Sequence, residues 1–253
     1  MPIPAVDVLI AIPAHDEERT LPRCLGHVLA AIEHARAEGA AAAATVAVAA
    51  HRCSDRTEQL ARAILAAAPV RAVVLTDPDS PTIADVRRAA VGAALTGVTD
   101  PARTWLFNTD ADSWVPPDWI PGLLAACRRA GAVGAAGMVE VEGWQASERA
   151  REAYAAIIAA GVHGSNHDHV YGANLAVRLD AYLAVGGFTA HRHGEDHDLV
   201  ARLRATGHRV ATPVVPRVIT SGRLDPRCDQ GLGALLRSLA ARDRDCPAAD
   251  ARP

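Results

Sequence analysis

The chain has 253 residues, half of them hydrophobic and 22% charged, with a net charge of −3. Such totals suit one large α/β domain with a real core, and they exclude a disordered polymer or a basic nucleic-acid or membrane-surface binder. Every strong base is an arginine, and the lack of lysine rules out Schiff-base chemistry, a P-loop lysine and lysine-dependent nucleotidyl transfer. Cys24, Cys53, Cys127, Cys228 and Cys246 form no C-x-x-C pair, so neither a zinc knuckle nor a disulfide scaffold is expected. There is no signal peptide pattern and no apolar run long enough to span a bilayer, which predicts a cytoplasmic chain with no transmembrane segment.

The first apolar run, residues 6–12, reads as a buried strand stopped by Pro13. An acidic turn, Ala14-His15-Asp16-Glu17-Glu18-Arg19, then opens a helix over 20–37, with Leu21, Leu25, Val28 and Ile32 on one face and Gly39 ending it. A second strand over 45–50 leads through His51-Arg52-Cys53-Ser54 into a helix whose Leu60 and Ile64 are expected to face inward. Pro69 closes that helix, and 70–76 make a third strand. A helix through Leu95 follows, with Ile83, Val86 and Ala90 inward, and then a fourth strand over 104–109. Four strand–helix alternations at short spacing predict a doubly wound, mostly parallel sheet flanked by helices. In such sheets ligands collect at the carboxyl ends of strands, which places the turns after residues 12, 50 and 109 on one edge.

The second half is less regular. Helices are expected over 117–129, 147–160 (inner face Ala150, Tyr154, Ile157 and Ile158), 180–185, 195–206 and 231–241. Extended segments are expected over 134–141, 170–177 and 210–219, with a polar histidine-bearing loop over 163–169. No linker or internal repeat divides the chain, so residues 1–241 are expected to form a single domain. Its more regular first half would be 1–115 and its second half 116–241, ahead of a frayed tail at 242–253.

Asp110-Ala111-Asp112 stands at the end of the fourth strand, before Trp114-Val115-Pro116-Pro117. Carboxylates two residues apart in extended backbone project the same way and repel, a conflict that a hard divalent cation such as Mg²⁺ or Mn²⁺ resolves. The alternative is a pair of ordinary turn-forming acids.

Six motifs in order then carry a resemblance: Ile12-Pro13-Ala14-His15-Asp16-Glu17-Glu18, Cys53-Ser54-Asp55-Arg56-Thr57, Asp110-Ala111-Asp112, Gly172-Ala173-Asn174, Gly186-Gly187-Phe188 and Gly194-Glu195-Asp196-His197-Asp198-Leu199. Over residues 6–223 the chain resembles the inverting, metal-dependent glycosyltransferases of family 2, which have the GT-A fold with its Rossmann-like domain. The resemblance implies a nucleotide diphosphate sugar donor, an acceptor hydroxyl and Mg²⁺ or Mn²⁺. By position it implies that Pro13, Ala14, His15 and Glu17 line the nucleotide. Asp55 would touch the nucleoside, Arg87 the diphosphate, Asp110 and Ala111 the ribose side, and Gly172 and Asn174 the sugar and acceptor wall. Asp112 is implied as the metal ligand and Asp196 as the catalytic base, with Glu195 beside it.

Two departures stand out. Ala50 and His51 replace the paired acids that many members place after the second strand, one of which reads uracil, so the donor base is left open. The region where a C-terminal histidine often serves the metal reads Val218-Ile219-Thr220-Ser221-Gly222-Arg223.

Rival readings are a metal-dependent hydrolase built on His163, His167, His169, His191, His193 and His197, and a catalytically silent sugar-nucleotide binding module. Against the hydrolase, these histidines lack the i, i+4 helical pair and are expected as solvated loop residues.

Overall fold

A computed structural model describes residues 5–190, 193–224 and 231–244. In chain order the strands are β1 (Val6–Ala14), β2 (Ala41–His51), β3 (Arg71–Asp77), β4 (Thr104–Asn108), β5 (Ser113–Trp114), β6 (Gly134–Ala136), β7 (Val139–Glu142), β8 (Val162–His163), β9 (Asn166–His167), β10 (Leu175–Arg178), β11 (Val210–Ala211) and β12 (Val218–Ser221). The helices are α1 (Leu21–Ala37), α2 (Thr57–Ala66), α3 (Ile83–Leu95), α4 (Trp119–Ala130), α5 (Glu148–Ala160), α6 (Leu179–Ala184), α7 (Glu195–Ala205) and α8 (Leu232–Arg244).

Seven strands form the main sheet in the order β11-β6-β10-β4-β1-β2-β3. Its centre, β1, pairs in parallel with β2 on one side and β4 on the other, so both faces must be apolar. The two-residue period divides them. Val8, Ile10 and Ile12 pack on Leu21, Leu25, Val28 and Ile32 of α1, while Leu9 and Ala11 pack on Val86, Ala90 and Val91 of α3. Strand order reverses between β1 and β4, which opens a crevice beyond their carboxyl ends.

Several local expectations are corrected. Pro13 does not stop β1 but pairs with Ala49. β4's partnership with β1 has already ended at Asn108 opposite Ala11, so the missing N–H of Pro13 has no ladder position to fill on that side. On α2 the fully buried residues are Thr57, Ala61 and Leu65, while Ile64 packs against the core from a partly buried position, as expected, and Leu60 does not. Of the face expected on α5, only Ala150 is fully buried, and Ile157 is 42% exposed.

Residues 134–141 form two strands rather than one, because the chain leaves the main sheet after β6 and enters a second sheet as β7. The same division separates β11 from β12 in the stretch expected to run through 210–219. The extended run at 170–177 is interrupted by a 3₁₀ turn over Gly172–Asn174 before β10. The loop at 163–169 contains the β8–β9 hairpin, and His167 in it is buried rather than solvated, its Nε2 3.2 Å from the Pro213 carbonyl. At the C-terminal end α8 runs on to Arg244, past the residue where fraying was expected, and 245–253 lie outside the described residues.

β10 runs antiparallel to both β4 and β6, with Leu175 opposite Asn108 and Ala136. Its beginning therefore lies where β4 ends, and the Gly172–Asn174 turn reaches the same edge as Asp110. Asn174 fastens that corner. It is fully buried, accepts from the Trp119 indole at 2.9 Å and donates to the carbonyls of Met138 at 2.7 Å and Pro216 at 3.1 Å. Gly137 permits this approach, since a Cβ there would lie 2.4 Å from the Asn174 amide nitrogen. Asn174→Ala would orphan one buried donor and two carbonyls. Urea denaturation should show a loss of about 3 kcal/mol, whereas an unchanged midpoint would mean the corner holds without it.

Candidate functional site

The two loops beyond β1 and β2 are stapled to each other by their own acids. The Asp16 carboxylate accepts the Ser54 amide at 2.6 Å and the Asp55 amide at 3.3 Å, which holds its own pKa below the usual carboxylate range. In return Asp55 accepts the Glu18 amide at 2.9 Å and the Thr57 amide at 2.8 Å. The Glu17 amide donates to the Thr57 hydroxyl at 2.7 Å. His15 Nδ1 lies 2.6 Å from the His51 carbonyl, and His51 Nδ1 lies 3.0 Å from the Asp77 carbonyl. Pro13, Ala14, His15, Glu17 and Asp55 are thus brought to one rim.

On the other wall, α3 begins at Thr82, which accepts the Asp85 amide and donates to its carboxylate at 2.6 Å. This start places Arg87 in the helix's second turn, facing the sheet edge. Arg87, which the resemblance assigns to the diphosphate, is 3% exposed. Its Nη2 donates to Asp110 at 2.6 Å and its Nε to Glu195 at 3.1 Å. Burial opposes its charge, but Asp110, Glu195 and Asp196 outweigh that and raise its pKa. Gly172 makes room, because a Cβ there would fall 2.6 Å from Arg87 Nη2.

Glu195 and Asp196 open α7 after Gly194, which sits at φ 75° where other residues are strained. Burial pushes the Glu195 carboxyl up, partly opposed by Arg87. Asp196 accepts the Gly172 amide at 2.7 Å and the His197 amide at 2.8 Å. Asp110, Arg87, Glu195 and Gly172 form one continuous cluster, so the acids at positions 110 and 196 share an edge of the molecule.

Asp112 lies deeper, its side chain 13% exposed. Its carboxyl is pushed up to about 6 by burial and then by Asp110, an effect that Arg223 opposes and Glu17 adds to. Arg223 spans these acids, 2.8 Å from Asp112 and bidentate to Glu17 at 2.6 and 3.1 Å. Carboxylates crowded to this degree, with oxygen donors alone, fit a hard divalent cation. The three-donor grouping found among the described residues is a neighbouring one, Asp16, Cys53 and Asp55, with ligand atoms within 4.8 Å of one another. No histidine belongs to it among the described residues, and His191 lies outside them. Ala111 contributes backbone alone to the rim, because its methyl is part of the core. The bridging part of Arg223 and the buried clamp of Arg87 are legible only in three dimensions.

The folded Asp112 carboxyl, at about 6 against an ordinary 3.8, binds its proton more tightly than the unfolded chain does. Its favourable contribution is therefore complete below pH 3.8 and lost as pH rises through 6. In EDTA, wild type should lose about 3 kcal/mol relative to Asp112→Asn between pH 3 and 7, read by urea denaturation at each pH. Parallel pH profiles would show that Asp112 is not under this strain.

The family model described as glycosyltransferase like family 2 matches residues 4–227. Among solved structures, the mannosyltransferase PcManGT from Pyrobaculum calidifontis, in complex with GDP-Man and Mn²⁺, is similar at 16% identity and TM-score 0.65, over 89% of this chain and 60% of that one. TarS 1–349 from S. aureus, in complex with UDP-GlcNAc, is 11% identical with TM-score 0.61, over 89% and 61%. Glucosyl-3-phosphoglycerate synthase from Mycobacterium tuberculosis, in complex with Mn²⁺, UDP and phosphoglyceric acid, is 18% identical with TM-score 0.53, over 97% and 80%. At such identities the likeness is one of fold, and this chain spans about three-fifths of the first two proteins' length. No curated protein sequence matches it. With the family model running over most of its length and the GT-A architecture in its sheet, the chain belongs to the family 2 glycosyltransferases.

Proposed function

We propose that the chain transfers a sugar from a nucleotide diphosphate sugar to an acceptor hydroxyl with inversion, as one domain over residues 1–241. The observation that carries this reading is the Arg87 clamp, which joins Asp110 beyond β4 to Glu195 at the start of α7. A donor-side acid and a candidate base thereby face one crevice. The loops bearing Pro13, Ala14, His15, Glu17 and Asp55 supply the nucleotide side. The solved neighbours support it by the company they keep: one is complexed with GDP-Man and Mn²⁺, another with Mn²⁺, UDP and phosphoglyceric acid.

In the proposed step the acceptor oxygen bonds to the anomeric carbon as the bond from that carbon to the phosphate oxygen breaks. The diphosphate leaves with the electron pair, and the hydroxyl proton passes to Asp196. Each Asp196 oxygen already accepts one backbone N–H, which fixes the carboxylate and leaves a further lone-pair direction on each oxygen. Arg87 and Glu195 hold the start of α7 against the Asp110 corner, so they position rather than react. Asp112, with Asp110 nearby, would hold Mg²⁺ or Mn²⁺, which when bound supplies charge neutralisation for the departing diphosphate. Arg223 stands ready to exchange its carboxylate partners for phosphate oxygens.

A thermal-shift screen of GDP, UDP, ADP, CDP and dTDP, with and without Mn²⁺, reads the donor side. One base should raise the melting temperature in a metal-dependent way, as mass action requires. Asp196→Asn should keep the affinity for that diphosphate within about two-fold while transfer falls by about 100-fold or more. A flat response to all five overturns the donor assignment. Transfer undiminished in Asp196→Asn removes that residue from the chemistry, and diphosphate binding without transfer in wild type favours the silent binding module.

A further inference from the structure

The face of α5 that the sequence marks as apolar does not close on the sheet. Between it and β7 lies a cavity of about 740 Å³, floored by Val139 and Val141 and walled by Trp144, Tyr154 and Ile158. That volume belongs to the range of small-molecule pockets. Trp144 and Tyr154 meet edge to face at 5.8 Å, and both the indole Nε1 and the phenol oxygen are buried without a hydrogen-bond partner among the described residues. Arg151, Arg217 and Glu140 supply the charged part of the lining.

The cavity's place in the fold ties it to the crevice from two sides. β7 is the third strand of the β5-β12-β7 sheet, and β5 begins directly after Asp112. Two inter-strand steps separate them, about 10 Å. The Ser221 amide on β12 donates to the Asp112 carbonyl at 3.1 Å, and Gly222, beside Arg223, packs so closely on Trp144 that a Cβ would lie 2.5 Å away. On the second side, Tyr171, whose phenol is pushed up by burial and then by Tyr154, immediately precedes Gly172, whose amide holds Asp196.

We infer that this cavity binds the apolar body of the acceptor, so that the acceptor is a flat, hydrophobic alcohol or phenol rather than a sugar or a small polyanion. The inference rests on the sugar-transfer reading above. Its physical basis is a largely apolar lining with paired aromatic rings, which offers dispersion and stacking to a flat body, while Arg151, Arg217, Glu140 and the unpartnered indole and phenol groups leave polar partners for its few oxygens. From there the acceptor's hydroxyl reaches toward Asp196, where it loses its proton as its oxygen takes the anomeric carbon from the leaving diphosphate.

The probe is 4-methylumbelliferone, a fluorescent flat phenol, titrated into the full chain with saturating nucleoside diphosphate and Mn²⁺. Wild type should bind it saturably, and glucose at the same concentrations should not compete. Ala155→Trp fills the cavity from an exposed position on α5. It should weaken probe binding at least ten-fold while diphosphate affinity stays within two-fold. Should circular dichroism show that variant misfolded, Ala159→Trp, on the same lining, takes its place. Absence of saturable binding in wild type, or binding equal in wild type and the folded variant, overturns the inference while diphosphate binding leaves the transferase reading standing. A chain that ignores the phenol but sediments with phosphatidylglycerol vesicles overturns it too, with a bilayer as the cover for α5. Probe binding without any diphosphate binding would sink the transferase reading, and with it the cavity's assignment to an acceptor.

Discussion

A single buried cation organises this molecule's functional edge. Arg87 enters from α3, 3% exposed, and is matched by Asp110 from beyond β4 and Glu195 from the start of α7. A guanidinium taken out of water costs several kcal/mol unless carboxylates meet it with good geometry. The pairing is therefore less a source of net stability than a condition for burying any of the three groups. Phe188, its ring centroid 6.0 Å from the guanidinium carbon, and Gly172, with no side chain, complete the enclosure. Arginine suits the task where lysine does not, because its planar fork reaches two acids at once.

The rest of the crevice follows from topology. Parallel pairing of β1 with β2 and β4 sends three chain crossings to one edge. The antiparallel insertion of β10 brings the Gly172–Asn174 turn to that same edge from the opposite direction. Acids that a linear reading assigns to ligands turn out to have structural partners as well. Asp16 and Asp55 cross-link two loops through backbone amides, and Glu17 is held by Arg223. A rim built in this way is fixed before any ligand arrives, which is the condition under which binding energy goes to the reacting centre rather than to ordering the protein.

The second sheet sets the other boundary. Because β12 lies between β5 and β7, the Asp112 corner and the aromatic cavity under α5 share one short, stiff scaffold. α5 is capped by Ser147, whose side chain accepts the Ala150 amide, so the helix is well begun even though its apolar face is little buried. A well-formed helix that leaves Ile157 exposed, while Trp144 and Tyr154 pack with Leu236 and Leu239 of α8, contrasts with α1, where seven residues are buried.

The sequence alone determined the α/β class, the order of the first four strands and helices, and the family, because these depend on local periodicity, capping and short motifs at strand ends. Val8, Ile10 and Ile12 alternate with Leu9 and Ala11 whatever lies beyond them, and that pattern requires a strand covered on both faces. It also brought Asp110, Asp112 and Asp196 forward as candidates. The tertiary structure alone decided what each side chain meets. Residues 134–141 divide between two sheets because Gly137 yields to Asn174, a partner 37 positions away. His167 is buried because the Pro213 carbonyl awaits it, and Arg87 is a clamp because acids 23 and 108 positions away in the sequence surround it. Whether an apolar helix face becomes core or the wall of a cavity is set by which distant segment covers it, and periodicity along the chain carries no term for that.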